Sequence, residues 1–246
     1  YHQALSRGGS FAEYSVLRAR AVYPVPDALD DATAASLPCP GLTAAQALDK
    51  LPACDHRDVL VTGAGGAVGY LLAQLALQRG LRVWVTASAK HREHLLQLGV
   101  AGVFDYRDGH WTQHLLEALG PRRLHGIFDT VSGSHAASLA PLLGYNGHLV
   151  CIQDRLESAP LPAFSTAVSM HEVALNSIHA HGERLDWQVL HAAAARLMQG
   201  VADGQLQAPA KQFFEFSELP DALRRLKSGD GGGKWISRLP APMVMA

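Results

Sequence analysis

The segment running from Asp58 through Val59-Leu60-Val61-Thr62-Gly63-Ala64-Gly65-Gly66-Ala67-Val68-Gly69 to Tyr70 concentrates the chemistry of this sequence. A short apolar run leads directly into four glycines, and an apolar stretch at helical spacing follows from Val68 to Gln78. Glycines at a strand-to-helix turn let backbone N–H groups come close to phosphate oxygens, and the helix N-terminus adds partial positive charge. Such a turn suits the pyrophosphate of a dinucleotide. The spacing departs from the strict G-x-G-x-x-G fingerprint, because Val68 stands where its third glycine would be. A plain glycine connection is the competing interpretation.

The end of the next apolar run bears on which dinucleotide. An NAD site usually places an acidic residue about 20 positions beyond the turn, to bind the ribose hydroxyls. Here Val85-Thr86-Ala87-Ser88-Ala89-Lys90-His91-Arg92 carries no acid before Glu93. Ser88, Lys90 and Arg92 instead offer a hydroxyl and two cations to a 2′-phosphate, which points to NADPH. The alternative is that Lys90 and Arg92 simply open a solvated helix.

Other residue sets carry weaker signals. Cys39, Cys54 and Cys151 are far apart and form no CxxC pair, so neither a disulfide framework nor a zinc knuckle is expected. His110 and His114 have a metal-clasping spacing but lack an HExxH frame, and read as a solvated face. Gly133-Ser134-His135 lacks the G-x-S-x-G frame of a nucleophile elbow. No Tyr-x-x-x-Lys pair occurs, and Ser88 stands where a methyltransferase would want an acid. No general acid can be named.

The elements that must position the glycine turn alternate between strand and helix. Extended runs are expected at 59–61, 81–85, 103–104, 126–130 and 148–152, with helices over 68–78, 90–98, 111–119 and 136–143 between them. This alternation predicts an α/β doubly wound parallel sheet. Upstream, residues 11–25 read as strand-like, and a helical run spans 42–48 after a break at Pro38, Pro40 and Gly41. Downstream, helices are expected over 186–199 and 219–226 and a closing strand over 235–239. The chain opens at Tyr1 without a methionine and reads as a piece of a longer protein.

Composition bounds the function. The 246 residues carry a formal net charge of −1 and are 48% hydrophobic, enough for a sizeable core and against a nucleic-acid partner. No apolar run reaches the roughly 18 residues of a membrane span, and no signal peptide is visible. A cytoplasmic location is expected.

With these residues in view, the chain resembles the zinc-independent quinone oxidoreductase branch of the medium-chain dehydrogenase/reductase family. Gly9-Ser10-Phe11-Ala12-Glu13-Tyr14 is similar to its GxFAEY strand, and Leu37-Pro38-Cys39-Pro40-Gly41-Leu42-Thr43-Ala44 to its LPxxGLTA segment. Gly63 to Gly69 resembles the family turn with Ala67 replacing a glycine. Phe104-Asp105-Tyr106-Arg107, Phe128-Asp129-Thr130-Val131-Ser132-Gly133 and Gly232-Gly233-Lys234 resemble three further family segments, in order along the chain.

The resemblance implies a Rossmann sheet with remnants of a GroES-like β-rich domain at both chain ends. The substrate domain would end within 1–36, the dinucleotide-binding domain span 37–185, and 186–246 return to the substrate domain. Thr43, Gly63, Gly65, Gly66, Ala67 and Val68 would line the pyrophosphate and nicotinamide side. Ser88, Lys90 and Tyr106 would surround the adenosine phosphate, although a packed aromatic is the other reading of Tyr106. Thr130, Val131, Ile152 and Gln153 would flank the nicotinamide ribose. His179 in a loop and Lys234 would approach the nicotinamide, Lys234 being equally readable as a surface lysine. Cys39 would be a packed thiol, since the zinc relatives' other ligands lie outside this chain. The implied activity is hydride transfer from NADPH to an electrophilic enone or quinone, in a homodimer. A noncatalytic nucleotide-binding module is the alternative.

Overall fold

Val59, Leu60 and Val61 are wholly buried, as a strand covered on both faces requires, and they form the centre of a parallel sheet. The computed structural model describes residues 1–2, 11–53, 55–131, 133–229 and 233–239. Gly9, Ser10, Cys54, Ser132 and Gly232, named above, lie outside these.

In chain order the elements are α1 (Asp31–Ser36), α2 (Pro38–Leu48), β1 (Asp58–Val61), α3 (Ala67–Gln78), β2 (Arg82–Thr86), α4 (Arg92–Gln97) and β3 (Gly102–Phe104). There follow α5 (Trp111–Leu119), β4 (Leu124–Asp129), α6 (Ser134–Leu139), β5 (Leu143–Cys151) and β6 (Ser169–Glu172). The chain continues with α7 (Ile178–His181), α8 (Arg184–Ala202), β7 (Lys211–Glu215), α9 (Leu219–Lys227) and β8 (Lys234–Arg238).

Two units result, Pro40–Ser177 and Tyr1–Cys39 with Ile178–Ala246. The first holds a six-stranded sheet of order β3-β2-β1-β4-β5-β6, every pair parallel. The order reverses between β1 and β4, and the crevice beyond the carboxyl ends of those strands is where open α/β sheets seat ligands. Its interior is built on Leu60, Trp84, Leu115, Leu124, Ile127 and Leu149. Asp58 is buried at the start of β1, where it accepts from Trp84 Nε1 at 2.8 Å and meets Arg122 at 3.2 Å. The second unit carries the two-stranded parallel sheet β7-β8 and the nineteen-residue α8, started by a reciprocal Glu183–Asp186 capping box.

Several local expectations are corrected. Residues 11–25 form no strand: a 3-10 turn at Ala19–Ala21 is their one regular element, and Tyr14 and Val16 are exposed. A strand needs a ladder partner, and among the described residues none pairs there. α2 begins at Pro38 rather than Leu42, because the first helical turn needs no intrahelical N–H bonds and so accepts Pro40. The run 136–143 breaks after Leu139 into a 3-10 turn, and Leu143 already belongs to β5. β6 and β7 were not expected; both are short and largely polar.

Candidate functional site

The turn after β1 depends on its glycines for room. Gly63 has φ +64°, and a methyl group there would lie 2.4 Å from Thr130 Oγ1. One on Gly69 would lie 2.7 Å from the Gly63 carbonyl oxygen, so α3 rests directly on the turn. One on Gly65 would lie 2.5 Å from Cδ2 of the His91 ring. The turn is tied to the end of β2: the Gly63 N–H donates to Thr86 Oγ1 at 3.1 Å, and the Ala64 N–H to the Thr86 carbonyl at 2.9 Å. Gly66 is the N-cap of α3 and has no side chain to cap it. The N–H groups of Ala67 and Val68 therefore have no acceptor within the helix and suit an anion.

Beside the turn, the end of β4 is locked to the end of β1. Thr62 Oγ1 donates to Asp129 Oδ1 at 2.8 Å and accepts from the Thr130 N–H at 2.9 Å, while Thr130 Oγ1 donates to the Thr62 carbonyl at 2.9 Å. Asp129 is wholly buried, and its Oδ1 also lies 2.7 Å from His135 Nδ1. A buried carboxylate needs such partners. The Ile152 N–H donates to the Asp129 carbonyl at 3.0 Å, bringing β5's end alongside. Sequence reasoning missed Thr62, Asp129 and His135 as a set; the available signal was an acid closing the apolar run Ile127-Phe128.

On the β2 side Ser88 is buried, Lys90 is exposed and His91 is half-buried. Arg92 does not simply open a solvated helix, because its guanidinium donates to the Val103 carbonyl at 2.5 Å. Tyr106 is half-exposed, with the Arg107 guanidinium 5.5 Å from its ring centre, so it is not a packed core aromatic. Burial, then the nearby Lys90 and His94, hold the His91 imidazole below the usual histidine range.

The sheet thus gathers Gly63 to Val68, Ser88, Thr130 and Ile152 around one edge, with Val131 and Gln153 exposed just beyond β4 and β5. Thr43 lies in α2, half-buried. His179 and Lys234 belong to the other unit. His179 sits in α7 rather than a loop, its Nε2 3.0 Å from His2 Nδ1 and its ring edge-to-face with Trp187. Burial, with His179 adding, pushes His2 down to about 4. Lys234 opens β8 and is half-buried, its N–H donating to the Ala210 carbonyl.

Cys39 is exposed rather than packed, because it lies on the outer side of α2, whereas Cys151 is buried. His114 pairs with Asp108 at 3.2 Å on an exposed face. Among the described residues no group of three or more His, Cys, Asp or Glu could hold a metal ion, and no helix is long and apolar enough to cross a membrane.

Residues 98–236 match the zinc-binding dehydrogenase family. Human quinone oxidoreductase is 26% identical over 234 residues, covering 93% of this chain and 69% of that enzyme. The trans-enoyl reductase tazE of Aspergillus terreus is 35% identical over 119 residues, covering 45% of this chain and 39% of that protein. The CurK enoyl reductase structure superposes with a TM-score of 0.77 at 21% identity, covering 90% of this chain and 66% of that one, a likeness of fold. The chain spans between 53% and 69% of the length of the mammalian quinone oxidoreductases it matches. A match over more than half its residues, on a six-stranded parallel sheet with a glycine turn at the switch point, places this chain in the zinc-binding dehydrogenase family of medium-chain dehydrogenases/reductases, as a quinone-oxidoreductase-like member.

Proposed function

We propose that this chain binds NADPH at the carboxyl ends of β1, β2, β4 and β5 and serves hydride transfer to an electrophilic enone or quinone carbon, without zinc. One observation carries the reading: the turn at Gly63, Gly65 and Gly69 is packed too closely for any Cβ, which leaves its surface as bare backbone, and no acid follows β2 before Glu93. Names among the relatives, quinone oxidoreductase and enoyl reductase, support the reaction class.

Bound there, NADPH supplies the hydride. The N–H groups of Ala67 and Val68 receive the pyrophosphate at the N-terminus of α3, with Gly65 and Gly66 clearing its approach. Ser88, Lys90 and Tyr106 surround the 2′-phosphate. Thr130, Val131, Ile152 and Gln153 flank the nicotinamide ribose, Thr130 being held in place through Thr62 and Asp129. The chain's task is orientation, which for well-placed reactants lowers a barrier by about 7 to 11 kcal/mol.

Side-by-side titration with NADPH and NADH by nicotinamide fluorescence tests the cofactor, and NADPH oxidation with added enones and quinones tests the reaction. Tighter NADPH binding with turnover is expected. Binding without turnover would leave a nucleotide-binding module; no binding would end the reading. A homodimer through the outer edge of β6 belongs to the same proposal and is read by light scattering.

A further inference from the structure

The side chain that closes over the phosphate turn is neither Lys90 nor Arg92 but His91. Lys90 is exposed and Arg92 is engaged with the Val103 carbonyl of β3. The intervening 3-10 turn Ala89–His91, closed by the His91 N–H on the Ser88 carbonyl at 3.0 Å, rotates the imidazole inward. There its Cδ2 and Nε2 stand 2.5 and 2.9 Å from the position of a Cβ on Gly65. The ring thus lies over Gly65, in the space a side chain there would take. No hydrogen-bond partner of the ring is found among the described residues, so its nitrogens are available to a ligand.

From this geometry we infer that His91 is a phosphate-binding gate on the glycine turn: the neutral ring rests on Gly65 in the unliganded chain, yields to an incoming dinucleotide phosphate, and as imidazolium pairs with it. The inference rests on the nucleotide-binding reading and adds a residue and a pH dependence to it.

The groups facing the ring decide the sign. Lys90 and His94 are the neighbouring titratable groups on its own segment, and from α3 comes Tyr70, whose ring stacks on His94 at 5.1 Å. No carboxylate is among the groups acting on it, so without ligand nothing offsets burial and the neighbouring Lys90 and His94, and the ring is neutral near pH 7. A phosphate dianion reverses the balance. The liganded imidazole binds its proton more tightly than the unliganded one, so phosphate ligands bind more tightly as pH falls through the liganded value. Each unit by which ligand raises the imidazole pKa appears as a tenfold change in affinity at most. The ligand's phosphate is either the pyrophosphate, common to NADH and NADPH, or the 2′-phosphate, carried by NADPH and 2′,5′-ADP.

The test is the dissociation constant of the whole chain for NADPH, NADH and 2′,5′-ADP at pH 6.0, 7.0 and 8.0, with His91→Gln and His91→Lys alongside. The His91 ring protons are followed by NMR with and without 2′,5′-ADP and NADH. Wild type is expected to weaken by about tenfold from pH 6.0 to 8.0, His91→Gln to lose most of that slope, and His91→Lys to bind tightly throughout. Subtracting the His91→Gln slope removes the ligand's own phosphate titration. A shared response to NADH and NADPH assigns the pyrophosphate; a response confined to NADPH and 2′,5′-ADP assigns the 2′-phosphate. Binding whose slope survives in His91→Gln, or a ring titration that ligand leaves unmoved, overturns the inference while leaving the nucleotide site standing. Absence of binding at every pH overturns both.

Discussion

Gly63 illustrates how one residue can carry both backbone and packing demands. Its φ of +64° is costly for any L side chain, and a methyl group there would meet Thr130 Oγ1. Gly63→Ala is expected to lower stability by about 1 to 3 kcal/mol, seen as a lower urea midpoint. An unchanged midpoint would show that Thr130 can step aside at no cost. Lys90 makes the complementary case, since its exposed ammonium matters only if a phosphate comes within reach. Lys90→Ala should weaken NADPH binding by about 1 to 3 kcal/mol and leave NADH nearly untouched. Equal losses for both cofactors would sink the assignment of Lys90 to the 2′-phosphate.

At the scale of elements, three neighbouring strands bring histidines together that are distant in sequence. His125 on β4, His148 on β5 and His171 on β6 form a row, with His148 Nδ1 3.0 Å from His171 Nε2 and the His125 ring 5.1 Å from that of His148. Burial lowers all three below the usual histidine range; Arg57 and His148 add to it for His125, and His148 and Lys50 for His171. Protonation therefore favours the unfolded chain, where histidine titrates near about 6.5. Stability is full above that pH, falls as pH drops toward the folded values, and levels off below them. Urea midpoints at pH 8.0 and 5.5 should show the fall, and His148→Asn should shrink it. A midpoint independent of pH over this range would contradict the burial of the row.

For the molecule as a whole, a ligand that binds only the folded chain raises its melting temperature by mass action. At a hundred times its dissociation constant that is about 2.7 kcal/mol. NADPH is expected to raise the melting temperature more than NADH at equal concentration, and ATP less than either. Equal shifts from all three would point to a site for nucleotides generally, with no place for the 2′-phosphate.

What could be read from the amino-acid sequence was whatever is encoded locally. Val59-Leu60-Val61 before four glycines, and an apolar helix after them, specify a strand, a turn and a helix within about twenty residues, because each rests on periodicity or on the freedom of glycine. The parallel sheet followed from repetition of that unit, and the proposal of NADPH rests on the lack of an acid between β2 and Glu93. Tertiary structure alone decided the rest. Residues 11–25 have strand-like residues but no ladder partner among those described, while the polar β6 and β7 are strands because neighbours accept their backbone hydrogen bonds. The joining of Thr62, Asp129 and His135, and the turning of His91 rather than Lys90 onto Gly65, depend on which strand ends lie side by side and how a 3-10 turn rotates its side chains. Those are relations between segments up to 73 residues apart, His135 from Thr62 included, and no local pattern of residues contains them.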